Sequence, residues 1–166
     1  MKQFFKTTLF LAIALCATCA MAQQRDPRTR EYISPTRIVW SQHGDLISHP
    51  EYLLNKGIGQ ADLTNARICV IRSTADKHPA ILLDFGRELQ GGVQITTGMP
   101  GDHTPVRIRV RFGESASEAM CEIDGKNGAS NDHAIRDFET TLPWLGLKEV
   151  GNSGFRFVRI DLLDDN

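Results

Sequence analysis

Hydrophobic and polar residues alternate most regularly between Val106 and Phe112. Two valines, an isoleucine and a phenylalanine occupy every second position, and three arginines occupy the positions between them. Strict period-two alternation is typical of a β-strand with one buried face and one face in water. Similar β-rich runs predict further short strands at Thr36–Trp40, Ile68–Ile71, Ala80–Phe85, Gly92–Thr97 and Phe155–Leu162.

Only the segment Ser115–Met120 has a helical pattern. We expect Ser115 to cap this helix and Glu118, three residues later, to complete a capping box. Glycine and proline interrupt the rest of the chain and separate the strands by turns. Many short strands with almost no helix predict an all-β fold, an antiparallel β-sandwich or jelly roll with one short helix.

The first 22 residues differ from the rest in composition. Two lysines precede an apolar run from Leu9 to Ala17, and an A-x-A cleavage site ends at Ala22. This pattern indicates a secretory signal peptide, and the run is shorter than the about 20 apolar residues of a membrane span. We therefore expect secretion or export to a periplasm after cleavage near Ala22, with an uncleaved membrane anchor as the alternative.

The mature chain divides into two parts by composition. Residues 23–35 are polar and contain two prolines, which predicts an extended N-terminal arm, and residues 36–166 are enough for one sandwich domain. Without the two lysines of the signal, 17 basic residues face 20 acidic ones, a net charge of −3. This balance gives no reason to expect nucleic acid or an anionic membrane surface as a partner.

Two cysteines, Cys69 and Cys121, remain after cleavage. They could pair in an oxidising compartment, but Cys69 lies in an apolar run, and two buried free thiols are the favoured interpretation. The five histidines form no metal-binding motif. The acidic C-terminus, Asp161 with residues 164–166, offers oxygen ligands that calcium accepts. A charge cluster near a chain end is usually just solvated, so calcium is the less favoured interpretation and we assign no metal ligands.

No arrangement of residues in the sequence predicts catalysis. A G-x-S-x-G nucleophile elbow and a P-loop are both absent. Glu114 with Glu118, and Asp137 with Glu139, are pairs of the kind that a glycosidase needs. Nothing else distinguishes these acids from ordinary surface carboxylates, so we predict no catalytic residue.

Sugar binding is the remaining chemistry. Aromatic rings stack on sugars, but the apolar neighbours of Trp40 and Trp144 favour a core or interdomain position for both. Trp144 lies beside Pro143 in a predicted loop, and the polar run 131–137 could line a pocket. The candidate carbohydrate-binding or interdomain residues are therefore Trp144, His133, Arg136 and Asp137, with an ordinary surface loop as the alternative for 131–137.

Three segments follow one another in a recognisable order: Leu83–Gly92 (LDFGRELQGG), Val110–Ser115 (VRFGES) and Gly154–Arg159 (GFRFVR). Together with residues 32–40 before them and 131–146 between the last two, they resemble the N-terminal β-sandwich region of bacterial α-L-rhamnosidase-like glycoside hydrolases. Each segment alone is moderately specific, and their order and spacing strengthen the resemblance, which covers nearly all of the mature chain.

The resemblance implies a galactose-binding-like β-sandwich that packs against an (α/α) toroidal catalytic barrel. It also implies that the whole enzyme hydrolyses terminal α-L-rhamnosyl linkages by inversion with glutamates of the barrel, none of which this chain contains. We therefore expect an accessory module, truncated at its C-terminus and inactive alone. Its partners would be the barrel and rhamnose-containing glycans.

Two other functions stay open at this point. A stand-alone secreted carbohydrate-binding module predicts saturable binding to rhamnose-containing glycans. A structural or interaction domain without a ligand predicts no such binding.

Overall fold

The computed structural model of the chain describes residues 29–56, 67–99, 104–123 and 136–165. The predicted signal peptide, residues 23–28 of the arm and the candidate residue His133 lie outside them. Residues Ile33–Asn166 form one compact unit. In the described part of the compact unit, every strand pairing is antiparallel and a single short α-helix is present. The predicted all-β fold is therefore confirmed.

The elements alternate with short loops and two 3-10 segments, Gly44–Leu46 and Pro50–Leu54. The strands are β1 (Arg37–Gln42), β2 (Ile47–Ser48), β3 (Val70–Ile71), β4 (Ala80–Thr97), β5 (Val106–Gly113), β6 (Asp137–Leu142) and β7 (Gly146–Leu162), and helix α1 (Ala116–Met120) follows β5. Five strands form one sheet in the order β1-β4-β7-β5-β6, and β2 pairs with β3 in a small second sheet.

Strands β4 and β7 are much longer than the sequence pattern predicts. The prediction of two separate strands at Ala80–Phe85 and Gly92–Thr97 is wrong, because both segments belong to one 18-residue strand. The predicted strand Phe155–Leu162 likewise begins earlier, because β7 starts at Gly146 and continues through residues 151–154. The glycines at these places shift the register of the β4–β7 ladder between Gly91 and Gly92 without ending either strand.

The main core lies between two layers of strands. Val93 and Val150, from the far half of the β4–β7 ladder, lie in the same hydrophobic cluster as Ile108 and Val110 of β5. In the described chain β5 pairs only with β6 and with the C-terminal half of β7. The far half of the ladder therefore folds over the face of β5, and the resulting two layers match the predicted sandwich.

Helix α1 covers the opposite face of the five-stranded sheet. Ala119 is fully buried there against Leu82 and Phe157, with Trp40 and Met120 packed around them. Trp40 is partly buried against this cluster, which agrees with the first alternative of its predicted core or interdomain position. The same face carries the arginines of β5, so the prediction that all three face water is wrong. Arg111 is only 3% exposed, because the helix and its following segment lie over it.

The helix cap differs in one detail from the predicted capping box. The Ser115 hydroxyl accepts a hydrogen bond from the Glu118 amide, as expected for an N-cap. The Glu118 carboxylate, however, accepts from the amide of Glu114, one residue before the cap. The first bond satisfies an amide that the start of a helix leaves without a partner, and the second satisfies the amide of the residue before the cap.

Candidate functional site

A buried carboxylate joins distant parts of the sheet. Asp84 of β4 is 1% exposed. Its Oδ1 accepts hydrogen bonds from Arg156 Nε at 2.8 Å and from the Gly86 amide at 2.7 Å, and its Oδ2 accepts from Arg156 Nη2 at 3.0 Å and Arg37 Nε at 2.9 Å. Hydrogen bonds from Arg156, and then from Gly86 and Arg37, hold the pKa of Asp84 well below its ordinary value.

The backbone around Asp84 is shaped to bring β1 and β4 together. Gly86 has a φ of 79°, and a Cβ at this position would lie 3.0 Å from the methyl group of Thr36. The Thr36 amide and hydroxyl both donate to the carbonyl of Asp84, at 2.7 and 3.0 Å. The chain entering β1 is therefore fixed against β4 where the β4–β7 ladder is interrupted between Asp84 and Leu89.

An open cleft of about 420 Å³ lies beside this centre. Its walls come from the chain before β1 and from the interrupted part of β4. They combine apolar groups, two hydroxyls and one cation from Ile33, Ser34, Thr36, Phe85, Gly86 and Arg87. This volume falls within the range of small-molecule sites, roughly 300–1,000 Å³.

A chain of arginines and acids crosses the face that α1 covers. Arg111 donates to Asp161 at 3.0 Å and to Glu122 at 3.0 Å. Asp161 also accepts from Arg159, whose guanidinium lies 4.9 Å from the ring centroid of Trp40. These contacts connect β1, β7 and β5 in one network.

Arg109 extends the same network to β6. Its Nη2 contacts Asp137 and, at 2.6 Å, Glu122. The bond from Arg109 lowers the pKa of Glu122, and the bond to Asp137 raises the pKa of Arg109. The Arg109 guanidinium thus connects the segment after α1 with the start of β6 through ion pairs.

Two of the predicted site residues take part in these ion pairs. Asp137 binds Arg109, and its side chain is 10% exposed. Arg136 pairs with Glu118 at 2.9 Å and Glu114 at 3.3 Å. The arrangement links β6 to helix α1 and to the end of β5, and both side chains line the same narrow slot beside Cys121.

Trp144 lies apart from these two residues. It is half-buried in the bend between β6 and β7, where the Thr97 hydroxyl donates to the Pro143 carbonyl at 2.8 Å. Asp137 begins β6 and Trp144 follows its end, so the six-residue strand separates them by roughly 20 Å. The structure therefore does not bring Trp144 together with Arg136 and Asp137 in one site.

The two candidate carboxylate pairs do not form an acid–base site. Glu114 and Glu118 both contact Arg136, and Asp137 contacts Arg109. Glu139 lies 3.9 Å from Arg107. These four acids bind arginines instead of facing each other across an open cleft.

The acidic C-terminus is likewise engaged by arginines. Asp164 accepts from the Arg107 amide at 2.6 Å and from its Nε at 2.8 Å, and Asp161 binds Arg111 and Arg159. The backbone bond from Arg107 and then its side chain lower the pKa of Asp164. Across the four described ranges, no three His, Cys, Asp or Glu residues converge in a way that could hold a metal ion.

Cys69 and Cys121 are free thiols, as predicted, although they are half-buried instead of fully buried. Burial raises the pKa of Cys69 to about 11, with the nearby Glu51 adding to the effect. The described chain contains no helix long and apolar enough to cross a membrane.

Sequence reasoning missed the Asp84 centre, although its members lie in the segments that carry the family resemblance. Arg37 and Arg156 are 47 and 72 positions from Asp84 in sequence. An isolated Asp before Phe-Gly in a strand was the available signal, since a carboxylate in an apolar run requires a partner.

Comparison with known proteins finds no match in sequence and a likeness in structure. The sequence matches no known protein-family model and no curated protein. The structure of a rhamnosidase from Klebsiella oxytoca with rhamnose bound is similar to this chain with a TM-score of 0.47 and 16% identity. The similarity covers 83% of this chain and 26% of that one, so this chain spans about a quarter of the other's length.

Proposed function

We propose that this chain is the β-sandwich accessory module of a secreted glycoside hydrolase that resembles α-L-rhamnosidases. One observation carries the proposal. Arg37, Asp84 and Arg156 come from three different stretches that resemble the family's N-terminal region, and the two arginines meet at the buried carboxylate of Asp84. The segments that carry the resemblance therefore contain the residues that hold β1, β4 and β7 together.

In this proposal the module supplies architecture, and glutamates of a separate helical barrel supply the acid and base. The carboxylates that could serve as a catalytic pair here, Glu114, Glu118, Asp137 and Glu139, are all engaged by arginines. A glycosidase needs one carboxyl group to give a proton and a second to act across the scissile bond. The arrangement of these acids suits a rigid scaffold, with the barrel and its rhamnosyl glycan as partners.

Hydrolysis of an aryl α-L-rhamnoside tests the proposal in two preparations. The recombinant 166-residue chain should give no turnover above buffer. Protein captured from the producing cells with an antibody against this chain should be a several-fold longer polypeptide that does hydrolyse the substrate. Turnover by the recombinant chain alone, or a captured polypeptide without glycosidase activity, would contradict the proposal.

Binding measurements separate the accessory role from that of a stand-alone carbohydrate-binding module. The stand-alone role predicts saturable calorimetric binding of rhamnose-containing oligosaccharides that Trp144→Ala weakens. Leu147→Ala is the matched control, because Leu147 is an exposed apolar residue three positions further along. A flat titration at high sugar concentration would remove this alternative and leave the accessory role in place.

A further inference from the structure

The cleft beside the Asp84 centre has the chemistry of a binding site for an acidic sugar. We propose that it binds a uronate residue of a glycan, with Arg87 contacting the carboxylate and Ser34 and Thr36 contacting ring hydroxyls. The inference goes beyond the proposed function, because uronate binding in this cleft would hold whether or not the chain serves a glycoside hydrolase.

The two hydroxyls in the cleft favour a ligand that donates hydrogen bonds. Ser34 Oγ donates to the Asn55 carbonyl at 2.8 Å, and Thr36 Oγ1 donates to the Asp84 carbonyl at 3.0 Å. A hydroxyl has one hydrogen to donate and two lone pairs to accept with. Because both hydrogens are directed at the backbone, these oxygens act as acceptors, and sugar hydroxyls are suitable donors.

The charged group in the cleft favours an anion. Arg87 is exposed, and none of the lining residues is acidic. A guanidinium has five donors in a planar fork that matches a carboxylate, so Arg87 can bind an anion in addition to other partners.

The remaining walls suit the non-polar face of a sugar ring. Phe85 is half-buried and held edge-on against Phe155, with ring centroids 5.5 Å apart. Ile33 adds a second apolar surface. A ligand with a carboxylate, several hydroxyls and a compact C–H face meets all three requirements, and a uronate has these groups.

Galacturonate and galactose form a matched pair of probes, because they differ only in the oxidation state of C6. NMR titration of the full chain should show saturable galacturonate binding that shifts the amide signals of Gly86 and Arg87, with galactose at least about tenfold weaker. Arg87→Gln should remove the preference over galactose. It should weaken galacturonate binding about tenfold, which is the factor expected for the loss of a hydrogen bond to a charged group. Added salt should weaken galacturonate binding because the cleft is open to solvent.

Arg72→Gln provides the control for lost positive charge. Arg72 is exposed and does not line the cleft, so this variant should bind galacturonate like the unmodified chain. Ser34→Ala should weaken the binding of galacturonate and of galactose equally. Equal binding of the two sugars, shifts confined to other residues, or no binding at millimolar concentrations would each overturn the inference and leave the accessory role untouched.

Discussion

Asp84 and Arg111 are both charged side chains inside a small β-domain, and each is compensated by several partners. Asp84 receives hydrogen bonds from two arginines and a backbone amide, and Arg111 lies between Asp161 and Glu122. Leaving one member of a buried pair without its partner costs more than the pair itself contributes. The two positions should therefore be sensitive to loss of charge.

Replacing Asp84 with Asn should lower the free energy of unfolding at pH 7 by about 3 kcal/mol. The substitution removes the charge that Arg156 and Arg37 bind, while the side-chain shape stays nearly the same. Urea denaturation followed by circular dichroism measures the difference.

The pH dependence gives an independent check on Asp84. Because the pKa is lowered on folding, its contribution is fully present above the unfolded value of about 3.9 and is lost as the pH falls below it. The difference between the wild type and Asp84→Asn should therefore be constant from pH 6 to 8 and shrink below about pH 4. A difference that stays constant into acid would show that the charge is not responsible.

Arg111→Met should destabilise the domain by about 2 kcal/mol, because Asp161 and Glu122 keep their other arginines but lose one partner each. Arg107→Met is the matched control on the same face of β5, where the side chain is 58% exposed. Surface ion pairs contribute little, so this variant should lose much less. Equal losses in thermal denaturation would show that burial of Arg111 does not matter.

At the scale of elements, the bend of the β4–β7 ladder over β5 depends on glycine. Gly151 has a φ of 92°, and a Cβ there would lie 2.6 Å from the ring of Phe112. A side chain at this position meets both backbone strain and the core of the sandwich.

Gly151→Ala should therefore lower the free energy of unfolding by about 3 kcal/mol, from strain and overpacking together. Gly91→Ala is the matched control, since nothing lies within 4 Å of a Cβ at that position. It should change stability by less than about 1 kcal/mol. If both variants unfold at the same urea concentration, the close approach to Phe112 does not hold the layers together.

The sequence was sufficient to predict each strand that has a strong alternating pattern, and the cap of α1. It predicted a break in β4 and too late a start for β7, because Gly91-Gly92 and residues 151–154 look like turns locally, whereas pairing between the strands decides the outcome. The burial of Arg111 depends on helix α1, which alternation along β5 does not reveal. The Asp84 centre combines residues 47 and 72 positions apart, so local patterns cannot show it.

At the scale of the whole molecule, the proposed secretion determines where the mature chain begins. Expression in a bacterial host with an intact export pathway should give a periplasmic or extracellular product starting at Gln23, as measured by N-terminal sequencing. Ala22→Asp should block cleavage, since the site requires a small residue there, and Gln24→Ala should leave it unchanged. A product that keeps residues 1–22 would support the membrane-anchor alternative.

The β4–β7 ladder also determines the order in which the domain can fold. Ala80 pairs with Asp161, 81 positions later, whereas Arg111 of β5 pairs with Asp137 of β6 after only 26. The entropic cost of closing a loop rises with its length, and sheets dominated by distant pairings fold in milliseconds to seconds. The antiparallel pair of β5 and β6 can therefore form early, but the central strand β7 must be synthesised before β4 gains its main partner. A growing chain that has not reached Leu162 has the parts of a sandwich without the strand that joins them.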